Sequence, residues 1–157
     1  MKKLNVAIIG QGRSGKDIHG TYYRSEDNLY YTVKYVVDAD AFRRRVSEEI
    51  YPGCKTLSDY TELFAFDDID LVVNASYSDH HYAISKDLLQ HGFHVLSEKP
   101  MARTVEQGQQ MIEAAKRTGK LLMSAYCNRF YDAARYIRDL IQTGELGKVR
   151  NAEFCRE

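Results

Sequence analysis

Five short, mostly apolar runs recur along the chain, and a stretch with helical spacing follows each. The runs are LNVAII (4–9), TVKYVVD (32–38), DLVVNAS (70–76), FHVLSEKP (93–100) and KLLMSAY (120–126). Residues 14–25, 40–49, 78–92, 104–119 and 132–144 read as the intervening helices. In 78–92 the apolar stripe is Ala83, Ile84, Leu88 and Leu89, stopped by Gly92; in 132–144 it is Ala133, Tyr136, Ile137, Leu140 and Ile141. Thr104 is the expected N-cap of 104–119 and Gly119 its stop. YPGC (51–54) reads as a turn, and SDYTELF (58–64) as a short helix capped by Ser58, with Glu62 one position off the capping-box spacing. Strands apolar along their whole length are buried on both faces, which requires a parallel sheet with helices above and below. Right-handed crossovers then give an α/β, doubly wound parallel sheet.

The first turn of that pattern narrows the reading. VAIIGQGRSG (6–15) runs a buried strand into Gly10, Gln11, Gly12, Arg13, Ser14 and Gly15 just where a helix should open. A G-x-G-x-x-G between strand and helix has a physical rationale. The first glycine permits the sharp turn, the second lets the backbone approach a diphosphate, and the third lets helix and strand pack closely. The helix start adds free N–H groups and a partial positive charge. Arg13 and Ser14 would offer side-chain donors to phosphate or nicotinamide; a solvated Arg and a cap Ser explain them equally well. Asp38 ends the second strand, where a carboxylate accepts from the adenosine ribose hydroxyls and repels a 2′-phosphate. This favours NAD, while Arg43 and Arg44 leave NADP possible. Strand, turn, helix and acid together predict a Rossmann fold.

Composition bounds the rest. With 157 residues, 22 basic and 22 acidic, and 44% hydrophobic, the chain suits one globular domain with a real core. The charge balance argues against a nucleic-acid partner. Three cysteines, Cys54, Cys127 and Cys155, without a C-x-x-C, argue against a disulfide framework or zinc site and for a cytoplasmic setting. Cys54 and Cys127, set among apolar residues, read as core fillers. MKKLNVAIIG lacks a cleavage site, and no run approaches the ~18 residues that span a bilayer, so neither secretion nor a membrane partner is expected. KVRNAEFCRE (148–157) alternates Val149, Ala152 and Phe154 and reads as the first strand of a second domain, giving an expected division into 1–147 and 148–157.

GFHVLSEKP (92–100), with the glycine turn and the SDHH at 78–81, resembles the Gfo/Idh/MocA family of nicotinamide-dependent oxidoreductases. His81 stands eleven residues before Gly92, as in that family's pattern, and Glu98-Lys99-Pro100 stands where its E-K-P stands. NRF (128–130) and GELGKV (144–149) are similar to its later segments. Tyr77 replaces a frequent proline and Phe93 a frequent lysine.

The resemblance implies hydride transfer between NAD(P) and a hydroxyl or carbonyl carbon of a sugar- or cyclitol-like small molecule. Lys99 would be the catalytic residue, its ammonium stabilising a developing alkoxide. Glu98 would line the nicotinamide side or pair with Lys99. Ser76 and Ser78 would touch the cofactor's riboses or phosphates, and Asn128 and Arg129 would follow at the same sheet edge. His81 would shape the cofactor pocket or serve as a packing histidine. His19, His80, His91 and His94 show no metal-ligand spacing; they receive no role, and no metal is expected. The resemblance also implies a second domain that completes the substrate pocket and forms a homo-oligomer. The alternative is a non-catalytic dinucleotide-binding or redox-sensing module acting through a partner.

Overall fold

In the computed structural model, which describes residues 2–153, the first strand sets the architecture. β1 (Leu4–Ile9) sends alternate side chains into two separate cores. Ala7 and Ile9 join Tyr35, Val37, Val72 and Val95 on one face, whereas Val6 and Ile8 join Val33, Val36, Val73 and Ala75 on the other. That two-residue alternation is the strand's own geometry, and both faces are apolar because both are covered. Each fully buried Val, Ile or Leu contributes roughly 1.5–3 kcal/mol.

β1 is flanked by β2 (Tyr31–Val37) and β4 (Leu71–Asn74), with β3 (Lys55–Leu57) beyond β2 and β5 (Val95–Ser97) and β6 (Leu122–Ser124) beyond β4. The order is β3-β2-β1-β4-β5-β6, and every pairing is parallel. Strand order therefore reverses at β1 and β4, and in such sheets ligands bind outside the carboxyl ends at that switch point. The α/β, doubly wound reading holds.

Helices α2 (Ala41–Ile50), α3 (His81–Gln90) and α4 (Val105–Thr118) fill the crossovers. Ile84, Leu88 and Leu89 of α3 and Ala114 and Ala115 of α4 pack in the first core. As expected, the Thr104 side chain accepts from Gln107 N and α4 stops at Gly119.

Three local features differ from the sequence reading. The segment expected as one helix over 14–25 is a wide π-helical turn (Arg13–His19) that continues into α1 (Gly20–Arg24). β3 falls between the expected turn at 51–54 and the expected short helix at 58–64, where the sequence reading has no element. The short helix, a 3-10 turn over Tyr60–Ala65, is capped by Asp59 rather than Ser58. With Asp59 as N-cap, Glu62 occupies the third position and the capping box closes.

The chain divides into two compact units, one through Ala125 and one from Tyr126 onward. The second holds a 3-10 turn (Cys127–Phe130) and α5 (Asp132–Thr143), a strongly amphipathic helix with no buried residue. Cys127 is exposed, not a core filler; Cys54 is half-buried. Residues 148–153 form no strand, and Phe154–Glu157, including Cys155, lie outside the described residues.

Candidate functional site

Four strand ends meet along one edge of the sheet. Hydrogen bonds from Gly10 N to Val37 O (2.7 Å), Ala75 N to Ile9 O (2.9 Å) and Glu98 N to Asn74 O (2.9 Å) extend the ladder past the last paired residues. The glycine turn, Asp38, Ser76 and Glu98-Lys99 are thus neighbours in the sheet although they span 90 positions of sequence.

Each glycine of the turn answers to a different constraint. Gly10 has φ +86°, and a Cβ there would lie 2.5 Å from Ala75 O. A Cβ on Gly15 would lie 1.8 Å from Gly10 O, which any side chain would push out of place. Gly12 meets nothing within 4 Å. Its φ of −77° suits any L-residue, so neither packing nor backbone requires glycine there. Above Gly12 the helix begins, and Lys16 N supplies the first helical hydrogen bond, to Gly12 O at 2.9 Å. The amides of Arg13, Ser14 and Gly15 have no carbonyl one turn below them. Arg13 is exposed and Ser14 half-buried.

Asp38 is buried, and its carboxylate organises the same turn. Oδ2 accepts from Gln11 N at 2.7 Å and Oδ1 from Asp40 N at 2.9 Å. An ionised carboxylate has about four acceptor positions, so two stay open to hydroxyl donors. Arg44 Nη1 donates to Asp38 O and Ala39 O at 2.7 and 2.9 Å, which ties that guanidinium to its own loop. Arg43 Nη1 instead sits 3.7 Å from Asp38 Oδ2. It lines a cleft of about 190 Å³ together with Gln11, Lys16, Asp40, Phe42 and Ser47. Gln11 is 4% exposed, and its Oε1 is a buried acceptor without a hydrogen-bond partner among the described residues. Open ground over Gly12, spare acceptors on Asp38 and an unpartnered amide oxygen beside a cleft fit a dinucleotide.

The second half of the edge is held from within. Asn74, fully buried, donates to His81 O (3.2 Å) and Ser85 Oγ (2.9 Å) and accepts from Ser76 N and Oγ. His81 is 1% exposed; its Nδ1 lies 2.7 Å from Pro100 O and its Nε2 3.0 Å from Ser76 O. Both ring nitrogens lie against main-chain carbonyls, so His81 links the Ser76 and Pro100 loops; of the two roles the sequence allowed, shaping the cofactor pocket and packing, this geometry describes the packing one. Glu98 Oε2 accepts from Lys99 N at 3.1 Å, and Oε1 lies 2.8 Å from His19 Nε2. The pairing of Glu98 with Lys99 is therefore through the Lys99 amide, not its ammonium, and the side-chain partner of Glu98 is the His19 ring.

Lys99 itself is exposed, and no hydrogen bond or ion pair holds its ammonium among the described residues. Ser78 is exposed, while Asn128 and Arg129 belong to the second unit, where Arg129 N donates to Tyr126 O at 3.1 Å. Sequence reasoning passed over His19 because its partner is 79 residues away. Its only local signal is position, one helical turn behind the last glycine. Among the described residues, no cluster of His, Cys, Asp or Glu has metal-binding geometry, and no helix is long and apolar enough to cross a membrane.

A parallel sheet in this order, with a glycine turn, a strand-end acid and open ground above the turn, defines a dinucleotide-binding Rossmann domain. Residues 4–126 match the model of the Gfo/Idh/MocA oxidoreductase family, NAD-binding Rossmann fold, and the chain belongs to that family. Among curated relatives, it is 30% identical to D-glucoside 3-dehydrogenase of Escherichia coli K12 over 146 residues, covering 93% of this chain and 41% of that protein. It is 31% identical to scyllo-inositol 2-dehydrogenase (NADP(+)) of Bacillus subtilis 168 over 147 residues, covering 93% and 39%. Among solved structures, the WlbA dehydrogenase of Bordetella pertussis, in complex with NADH and UDP-GlcNAcA, superimposes with a TM-score of 0.84 at 26% identity. That match covers 94% of this chain and 42% of WlbA. The chain spans about two fifths of the length of these relatives.

Proposed function

We propose that this chain is the cofactor-binding part of an NAD(P)-dependent oxidoreductase acting on a CH–OH group of a sugar- or cyclitol-like molecule. The observation that carries the reading is the shared sheet edge. The turn at Gly12 is bare for no reason of packing, and Lys99 follows the end of β5, two strands along the same edge, with its ammonium uncommitted among the described residues. The relatives named as dehydrogenases of a glucoside and an inositol support the substrate class.

In this reading the amides from Gly10 to Gly15 hold the diphosphate, with the helix start opposing its charge. Asp38 accepts from the adenosine ribose and disfavours a 2′-phosphate, while Arg43 and Lys16 at the cleft keep NADP accessible. NAD, when bound, supplies the acceptor for a hydride from the substrate carbon. Lys99 donates a hydrogen bond to the reacting oxygen and stabilises the charge that develops there. Ser76 and Ser78 flank the cofactor, and His81 holds their loop. Asn128 and Arg129 are assigned to the cofactor by the family resemblance alone.

The part of such relatives that this chain does not span completes the pocket and forms the homo-oligomer. The exposed apolar face of α5 (Tyr136, Ile137, Ile141) supports further chain packing there. The test is NADH formation by the polypeptide that carries this chain, across a panel of sugars and cyclitols. Lys99→Ala should lower turnover about 10²- to 10⁴-fold with NADH affinity retained. Unchanged turnover would remove Lys99 from the chemistry.

A further inference from the structure

We propose that His19 is a positioning residue: through Glu98 it ties the helical segment behind the glycine turn to the main chain of Lys99, so that cofactor cradle and Lys99 act as one unit. The assignment of Lys99 and of the cradle rests on the reading above; the brace itself stands on geometry. His19 Nε2 and Glu98 Oε1 are 2.8 Å apart, and both side chains are nearly buried, at 13% and 8% exposure. A buried carboxylate is unfavourable unless every lone pair that matters finds a donor. Among the described residues Glu98 meets that demand with two donors, the His19 ring and the Lys99 amide at 3.1 Å. An ionised carboxylate only accepts, so Nε2 is the donor. The rest of the loop is fixed from the other side, by Glu98 N on Asn74 O and His81 on Pro100 O. The bond from His19 is thus the link that reaches the loop from the glycine-turn helix.

The backbone at His19 supports the same reading. From Arg13 to His19 the helix is π-wound, and Gly20 N closes it on Gly15 O, five residues back. Such turns are rare and concentrate at functional sites, because they redirect one side chain without breaking the helix. A Cβ on Gly20 would lie 2.6 Å from Tyr51 Oη and 3.1 Å from Gly15 O, so this winding packs closely against the Tyr51 ring.

Amide exchange and chemical shifts in the ¹⁵N-labelled chain test the proposal at Lys99. His19→Ala should speed exchange of the Lys99 amide about tenfold or more, the loss expected for a hydrogen bond to a charged acceptor. The Val95 amide, bonded to Leu121 O in the sheet, should be unchanged. His19→Gln, which keeps a donor at similar reach, should restore Lys99 to within about threefold of wild type. His19→Phe fills the ring's space without a donor and should behave as His19→Ala if the alanine variant does not fold.

With NADH, the Lys99 amide should shift in wild type and in His19→Gln, and stay still in His19→Phe even when that variant is saturated. Unaltered Lys99 exchange in a folded His19→Ala or His19→Phe would overturn the brace. So would failure of His19→Gln to restore it, or folding of His19→Gln alone, which would make the donor's role structural. If wild type does not bind NADH, the proposed function fails, while the exchange result without cofactor still decides the brace.

Discussion

Gly12→Ala separates fold from function at the glycine turn. The added methyl meets no atom within 4 Å, and the backbone (φ −77°, ψ −161°) already lies in the extended region open to alanine. Alanine also narrows the unfolded ensemble, so the variant should be as stable as wild type or gain about 0.4–1 kcal/mol. For a chain of this size that amounts to a rise in Tm of up to about 4 °C. Binding should move the other way. A methyl over the turn holds a diphosphate off the amides, and one charge-assisted hydrogen bond is worth about 1.5–3 kcal/mol. NADH affinity should fall about 10- to 150-fold. Gly15→Ala is the control: its methyl would lie 1.8 Å from Gly10 O, main chain against main chain, and the helix must shift by more than an ångström. It should lose about 1–3 kcal/mol of stability, as overpacked sites do. Scanning calorimetry and NADH fluorescence titration on the three proteins decide it. A Gly12→Ala protein that binds NADH like wild type, or that melts like Gly15→Ala, would refute the reasoning.

Asp38→Asn should weaken NADH binding and improve NADPH relative to it, changing the affinity ratio at least about tenfold, because one charged acceptor and its repulsion of a 2′-phosphate disappear together; parallel titrations with both cofactors measure it. Acid should destabilise the chain through its local caps and pairs. The Thr61 hydroxyl and amide hold the Asp59 carboxyl below its usual range, and Lys34 and Tyr35 do the same for Asp68. A folded pKa below the unfolded one gives stability that is full above about pH 4 and is lost as pH falls through the folded value. Tm should therefore drop between about pH 4 and 2. Asp59→Asn, which keeps a competent cap, should flatten that drop, and an unchanged slope would contradict it.

The parts of this molecule written locally were legible, and those that depend on distant partners were not. β1 and the glycine turn follow from twelve consecutive residues, 4–15, because an apolar run, a turn and a helix start each leave a local signature. The ends of α4 were readable for the same reason, as Thr104 and Gly119 act on their own helix. β3 escaped because three residues, Lys55–Leu57, show too little periodicity to stand out; its strand state comes from pairing with Tyr35–Val37. Asp59 was overlooked in favour of Ser58, one residue away, although Ser58 also donates to Glu62. His81 and His19 show the limit most clearly. Composition places a histidine, but only the fold decides whether it meets two carbonyls, as His81 does, or a buried carboxylate, as His19 does. Asn128 and Arg129 were named by resemblance alone, and their unit has no buried helix residue to fix their setting.

Calorimetric titration of NADH into the 157-residue chain tests the central claim most directly. The account predicts saturable one-to-one binding with a Kd at or below about 1 mM, near −4 kcal/mol, displaced by NAD⁺ and weakened by Gly12→Ala. Absence of heat at millimolar NADH, or binding that Gly12→Ala leaves untouched, would contradict it.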